Sequence, residues 1–173
     1  MSKEGRAFIT HEFDEAIAVQ EAIVEAGRQL SDVHPLPDSK RSLKQSVRQD
    51  ERLLKALQKL GQKYGATGKR EEIAAAMEQL AKETAQSAKG GEEAEVYEAT
   101  AVLVSLKRKQ QDAAASIQKI ARKLRDTEMR DQAGEFRKAM KQSSDDLVKQ
   151  LGELAVLIAT KDGARPARTA TRR

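Results

Sequence analysis

Between Asp126 and Thr160 an apolar or small residue recurs every three or four positions: Met129, Ala133, Phe136, Met140, Ser143, Leu147, Leu151, Leu154 and Ile158. Ala139, Val148 and Ala155 stand beside this series, and the positions between are charged or polar. The period is that of one face of an α-helix, not the alternation of a strand. Asp126 or Thr127 can offer a side-chain oxygen to the first free N–H groups, and Glu128 and Asp131 set negative charge against the positive end of the helix dipole. At about 1.5 Å per residue such a helix is roughly 50 Å long. Its stripe needs partners of similar length, so the rest of the chain must supply other helices.

The composition agrees. Charged residues make up 34% of the 173 residues and aromatic residues 3%, and there are only three prolines. This is the make-up of an all-α protein with an Ala/Leu/Ile/Val core, and no segment reads as a strand. Cysteine is absent, which excludes disulfides, thiolate catalysis and thiolate-ligated zinc. The longest wholly apolar run, Leu154 to Ala159, falls far short of the roughly 20 residues of a membrane span, and no signal-type apolar region opens the chain. The expectation is a cytoplasmic protein without a membrane span.

In chain order, a polar lead from Met1 to Arg6 precedes a first helix expected from about Thr10 to Leu30. Its inner face is Phe13, Ala16, Ile17, Gln20, Ile23, Val24, Gly27 and Leu30, with Phe8 and Ile9 at its entrance. His34-Pro35-Leu36-Pro37 breaks it. Asp38 or Ser39 is expected to cap a second helix running to Tyr64 through Leu43, Val47, Asp50, Leu54, Leu57 and Gly61. A turn follows from Tyr64 to Gly68. The third helix is expected over Lys69 to Ala88, with Ile73, Ala76, Met77, Leu80, Thr84 and Ala88 inward, and Gly90-Gly91 ends it. The fourth begins at Glu92 and is carried to Arg125, through Tyr97, Ala101, Val104, Ala113, Ile117, Ile120 and Leu124. Its stripe weakens at Lys107 to Asp112, read as an exposed turn of helix. Residues 1–160 thus form one up-and-down antiparallel bundle of four to five helices. In it the fourth and fifth helices make a long hairpin, the second and third pack on that hairpin, and the first covers the side. Residues 161–173 read as a disordered basic tail.

No glycine-rich phosphate cradle, nucleophile elbow or zinc-type histidine pair is present. His11 and His34 lie near expected helix ends and read as surface or capping groups. Helical bundles can hold two metal ions between inward Glu side chains. Here Glu51, Glu83 and Glu98 lie on or beside the core stripes, where a carboxylate paired with Lys or Arg is the plainer reading.

The run Glu51-Arg52-Leu53-Leu54-Lys55-Ala56-Leu57, followed by Leu80-Ala81-Lys82-Glu83-Thr84 and Glu95-Val96-Tyr97-Glu98-Ala99, resembles the ferritin-like family of small stress-induced bacterial bundles. The resemblance implies a four-helix architecture with iron or manganese held by carboxylates, for which Glu51, Glu83 and Glu98 are the candidates. Gln86 stands where the family's Glu-x-x-His pattern has its histidine, Ser143 and Ser144 occupy the expected acidic positions of the last helix, and Gly90-Gly91 is short for the family's crossover.

Charge carries more information than any motif. From Asp38 to Tyr64 eight basic residues face three acidic ones, and Lys40, Lys44, Arg48, Arg52, Lys55, Lys59 and Lys63 form a ridge at helical spacing. Arg165, Arg168, Arg172 and Arg173 extend the basic character into the tail. Such a ridge suits nucleic acid bound without regard to sequence, an acidic protein or an anionic surface. The acidic first helix, with Glu15, Glu21 and Glu25, offers a rival explanation in which the ridge is neutralised within the fold. Base-specific reading is not expected, since stacking aromatics and DNA-reading modules are missing. The reading that emerges is a non-enzymatic structural or interaction protein, with a protein partner or self-association through the long last stripe. A ferritin-like carboxylate bundle and a nonspecific nucleic-acid binder are the alternatives.

Overall fold

The computed structural model describes residues 2–67 and 71–161, without the side chains of 71–74, 78, 82, 85 and 87. The expected basic tail, with Arg165, Arg168, Arg172 and Arg173, lies outside the described residues, as does the inward placement of Ile73. Five helices follow one another: α1 (Lys3–Val33), α2 (Pro37–Gln62), α3 (Glu71–Ser87), α4 (Glu93–Leu124) and α5 (Thr127–Thr160). The chain is all-α over the described residues, and no described helix is long and apolar enough to cross a membrane.

The first helix is longer than its apolar period suggests. Ser2 accepts a hydrogen bond from the Gly5 N–H at 3.1 Å and caps it, and no proline or glycine pair stands between this cap and Thr10 to delay the start. Ile9 is buried as expected, whereas Phe8 is 55% exposed. The His34-Pro35-Leu36-Pro37 break holds, with the His34 N–H bonded to the Leu30 carbonyl. Neither Asp38 nor Ser39 caps α2. The helix starts two to three positions earlier, with Leu36 at the cap position without a side-chain bond and Pro37 in its first turn, a place where proline's missing N–H costs nothing.

Contacts across the helices fix their directions. Gln58 reaches Glu21, Arg28 reaches Glu51 and Lys44 approaches Asp32, so α2 runs antiparallel to α1. Ser46 meets Ser143, and Lys63 meets Glu128, so α5 runs antiparallel to α2. Lys161 pairs with Glu93 across the α4/α5 hairpin.

The position of α1 departs from expectation. It packs on α2, α3 and α4, and is the centre of the assembly, not its side cover. The cause lies in its residues: Ala16, Ile17, Ala18, Val19 and Gln20 are buried in succession, and Ala22, Ile23, Val24, Ala26 and Gly27 are buried around the exposed Glu25. Small side chains on several sides let three helices approach one axis. Gly61 of α2 serves the same end, since a Cβ there would stand 3.3 Å from both Ile17 and Phe13 of α1.

The long stripe of α5 is inward as expected at Met129, Ala133, Phe136, Met140, Leu147 and Leu154. Asp126 caps the helix, accepting from the Met129 N–H at 2.9 Å, and its other oxygen receives the Tyr64 hydroxyl. Burial and the adjacent Asp126 push the Tyr64 phenol up to about 12. Tyr64 also stacks on Phe13, with ring centroids 5.5 Å apart, which ties the end of α2 to both α1 and α5. Some expected core positions face outward: Ala76 is exposed, as is Leu124 at 41%.

Candidate functional site

Helix α4 is unbroken through residues 107–112, but the exposed turn expected there is not what the fold makes of it. Lys107 is 1% exposed and Gln110 is fully buried. The Lys107 ammonium donates to Asp50 Oδ2 at 2.6 Å and to Ser46 Oγ at 3.4 Å. Gln110 Nε2 donates to the Ala16 carbonyl at 2.7 Å and to Gln20 Oε1 at 3.1 Å, while Gln20 Nε2 donates to the Asp50 carbonyl. The stripe weakens because it meets polar partners on α1 and α2, not because it meets water. Burial pushes the Lys107 ammonium below the ordinary lysine value, against the opposing pull of the Asp50 charge and hydrogen bond.

Outward from this pair, α2 and α5 do not close on each other. Their walls leave a cleft of about 700 Å³ lined by Ser42, Gln45, Ser46, Arg48, Gln49 and Arg52 from α2, and by Gln142, Ser143, Asp146 and Gln150 from α5, with Leu43 and Leu147 between. Ser46 and Ser143 bridge the walls through hydroxyls 2.9 Å apart. At one end Gln150, 7% exposed, donates to Ser42 at 3.4 Å, and its carbonyl oxygen has no partner among the described residues. On the rim Gln142 and Lys149 hold Asp146, keeping its carboxyl below the usual range.

The cationic ridge is on the surface, and the acids of α1 meet it only in part. Glu15 pairs with Lys109 at 2.6 Å, Glu21 accepts from Gln58, and Glu25 takes Gln29 and Arg28. Of the ridge itself, Lys40 donates to the Asp32 carbonyl, Lys44 lies 3.9 Å from Asp32, and Lys63 pairs with Glu128. Arg48, Arg52, Lys55 and Lys59 are exposed and have no carboxylate partner among the described residues.

The three candidate metal ligands stay apart in character. Glu51 is tied to Arg28 at 2.6 Å, Glu83 accepts from Gln79 at 2.8 Å, and both Glu83 and Glu98 are exposed, not on a core stripe. Among the described residues one group of three possible ligands converges, His11, Glu12 and Glu15, and its Glu15 is the partner of Lys109. His34 does act at a helix end, but it is buried, 4% exposed, with Nδ1 accepting from the Leu36 N–H at 3.2 Å.

Sequence reasoning missed Ser42, Ser46, Ser143 and Gln150 as cleft residues. Their signal was indirect: Asp50 in the apolar series of α2 and Lys107 three positions after Val104 place an acid and a base on two inward faces. No protein-family model, no curated protein and no solved structure matches the chain.

Proposed function

We propose that the chain is a non-enzymatic binding protein that engages polyanions, nucleic acid without base specificity, along the middle of α2. One observation carries this reading: Arg48, Arg52, Lys55 and Lys59 stand exposed at helical spacing with no carboxylate partner among the described residues, while Glu15 of α1 is paired with Lys109. The formal net charge of +5 acts in the same direction. Four phosphate contacts correspond to a log–log salt slope of roughly −3 to −4. Fluorescence anisotropy of the full-length chain with single- and double-stranded DNA of unrelated sequences, across a salt series, tests it. Lys55→Glu with Lys59→Glu should weaken binding and flatten the slope at unchanged thermal stability. A chain that binds neither form at low ionic strength refutes the reading.

A second reading, self-association, has its own observation. Val148, Gly152, Ala155, Val156 and Ala159 of α5 are exposed at helical spacing, Val148 at 41% and Val156 at 64%, and a Cβ on Gly152 would meet nothing within 4 Å. The strip is one helix wide, well below the ~800 Å² per partner of a standard interface, so the association is weak. Light scattering over a concentration series decides it, and a strict monomer throughout counts against it. Kinship with ferritin-like bundles, and iron or manganese at Glu51, Glu83 and Glu98, rests on the sequence resemblance alone. Metal analysis after loading is its test.

A further inference from the structure

The α2/α5 cleft has a definite pattern of donors and acceptors. On the α2 wall Arg48 and Arg52, one turn apart, present guanidinium groups without carboxylate partners among the described residues. Two guanidiniums at that spacing suit a compact anion that can take paired N–H bonds. Deeper, the hydroxyl of Ser46 lies 3.3 Å from Asp50 Oδ2 and takes a hydrogen bond from the Lys107 ammonium. Ser46 and Ser143 share a 2.9 Å contact in which either hydroxyl can donate, and in both arrangements the Ser143 oxygen keeps a lone pair for a donor in the cleft. At the far end Gln150 is 7% exposed, and its carbonyl oxygen has no partner among the described residues. Its terminal torsion is broad, so the amide can turn its acceptor to a ligand.

A ligand that satisfies these groups carries an anion at one end and hydroxyl donors along its body. No aromatic side chain lines the cleft, so nothing there would stack on a nucleobase. About 700 Å³ lies within the range of small-molecule sites. We infer that the α2/α5 cleft binds a small phosphorylated polyol, a sugar phosphate in chemical class, with phosphate on Arg48 and Arg52 and hydroxyls on Ser143 and Gln150. The site shares two arginines with the polyanion ridge but does not depend on it.

Isothermal titration of the full-length chain with glucose 6-phosphate, inorganic phosphate, glucose and adenosine monophosphate tests the assignment. Glucose 6-phosphate should bind most tightly. Arg48→Gln with Arg52→Gln should weaken it by about tenfold or more and remove the advantage over glucose. Gln150→Leu should weaken glucose 6-phosphate and leave inorganic phosphate unchanged. Should that buried change reduce folding, Ser143→Ala, at a half-buried position, asks the same question. Lys55→Glu with Lys59→Glu, which removes ridge charge outside the cleft, should leave glucose 6-phosphate binding intact, so the two sites fail separately. The inference is overturned if glucose 6-phosphate gives no binding, if it binds no tighter than inorganic phosphate, or if adenosine monophosphate binds as well.

Discussion

Lys107 of α4 and Asp50 of α2 form an ion pair of 2.6 Å with side chains 1% and 3% exposed, roofed by Ser46. Removing two charges from water costs several kcal/mol per ion, and the pair recovers this only through its short contact and its added hydrogen bonds. It therefore specifies which helices meet more than it adds net stability.

The first prediction separates those contributions. Lys107→Met leaves Asp50 charged, buried and unpaired, and should lower the unfolding free energy by about 3–5 kcal/mol. Adding Asp50→Leu removes the stranded charge and should restore most of the loss. Urea denaturation of the wild type, the single variant and the double variant measures both. A double variant as unstable as the single would mean that the network around Ser46 and Ser143, not the ion pair, holds the level together.

The second prediction concerns Gly152. It lies inside α5 with no atom within 4 Å of where a Cβ would be, so nothing in the fold requires its lack of a side chain. Gly152→Ala removes only the backbone-entropy cost of glycine in a helix and should raise stability by up to about 1 kcal/mol. Thermal and urea unfolding report it. A loss of stability would show that the open face is occupied, as a second copy seated on Gly152 would make it.

Much of this fold is legible in the sequence. The α5 stripe, the break at His34 to Pro37 and the Gly91 turn with its positive φ of 68° are local signals, and helical period and proline chemistry suffice for them. The centrality of α1 is not local. Ala18, Val19, Ala22 and Ala26 are buried because three neighbours surround them, and a single-stripe template assigns such alanines to the solvent side. Lys107 was misplaced for a related reason. A charge that interrupts a stripe reads as solvent until its counter-charge on another helix is known, and the pairing of residue 107 with residue 50 is not encoded by spacing along either helix. The ridge was legible as a pattern, but its freedom was not, because whether Glu15 meets α2 or Lys109 depends on the angular position of α1 in the bundle.

The third prediction follows from His34, at the joint between α1 and α2. Its Nδ1 accepts the Leu36 N–H, so the neutral ring carries its proton on Nε2, which is buried without a partner among the described residues. Protonation would place a proton on Nδ1, break the Leu36 bond and set a charge in a site that is 4% exposed. Burial accordingly holds the imidazole below its ordinary value, against the pull of the nearby Glu153 carboxylate. For a group whose folded value is depressed, the sign is fixed. Above pH 6.5 both states are neutral at this position and stability is complete. As the pH falls below that value the unfolded chain takes up the proton first, and stability declines until the folded value is reached. The slope cannot exceed about 1.4 kcal/mol per pH unit for one proton. Urea midpoints measured from about pH 8 to about pH 5 should show this decline before the carboxylates titrate. His34→Asn, whose side-chain oxygen can still accept the Leu36 N–H, should flatten it with His11 left in place. An unchanged slope in that variant would remove His34 as its source.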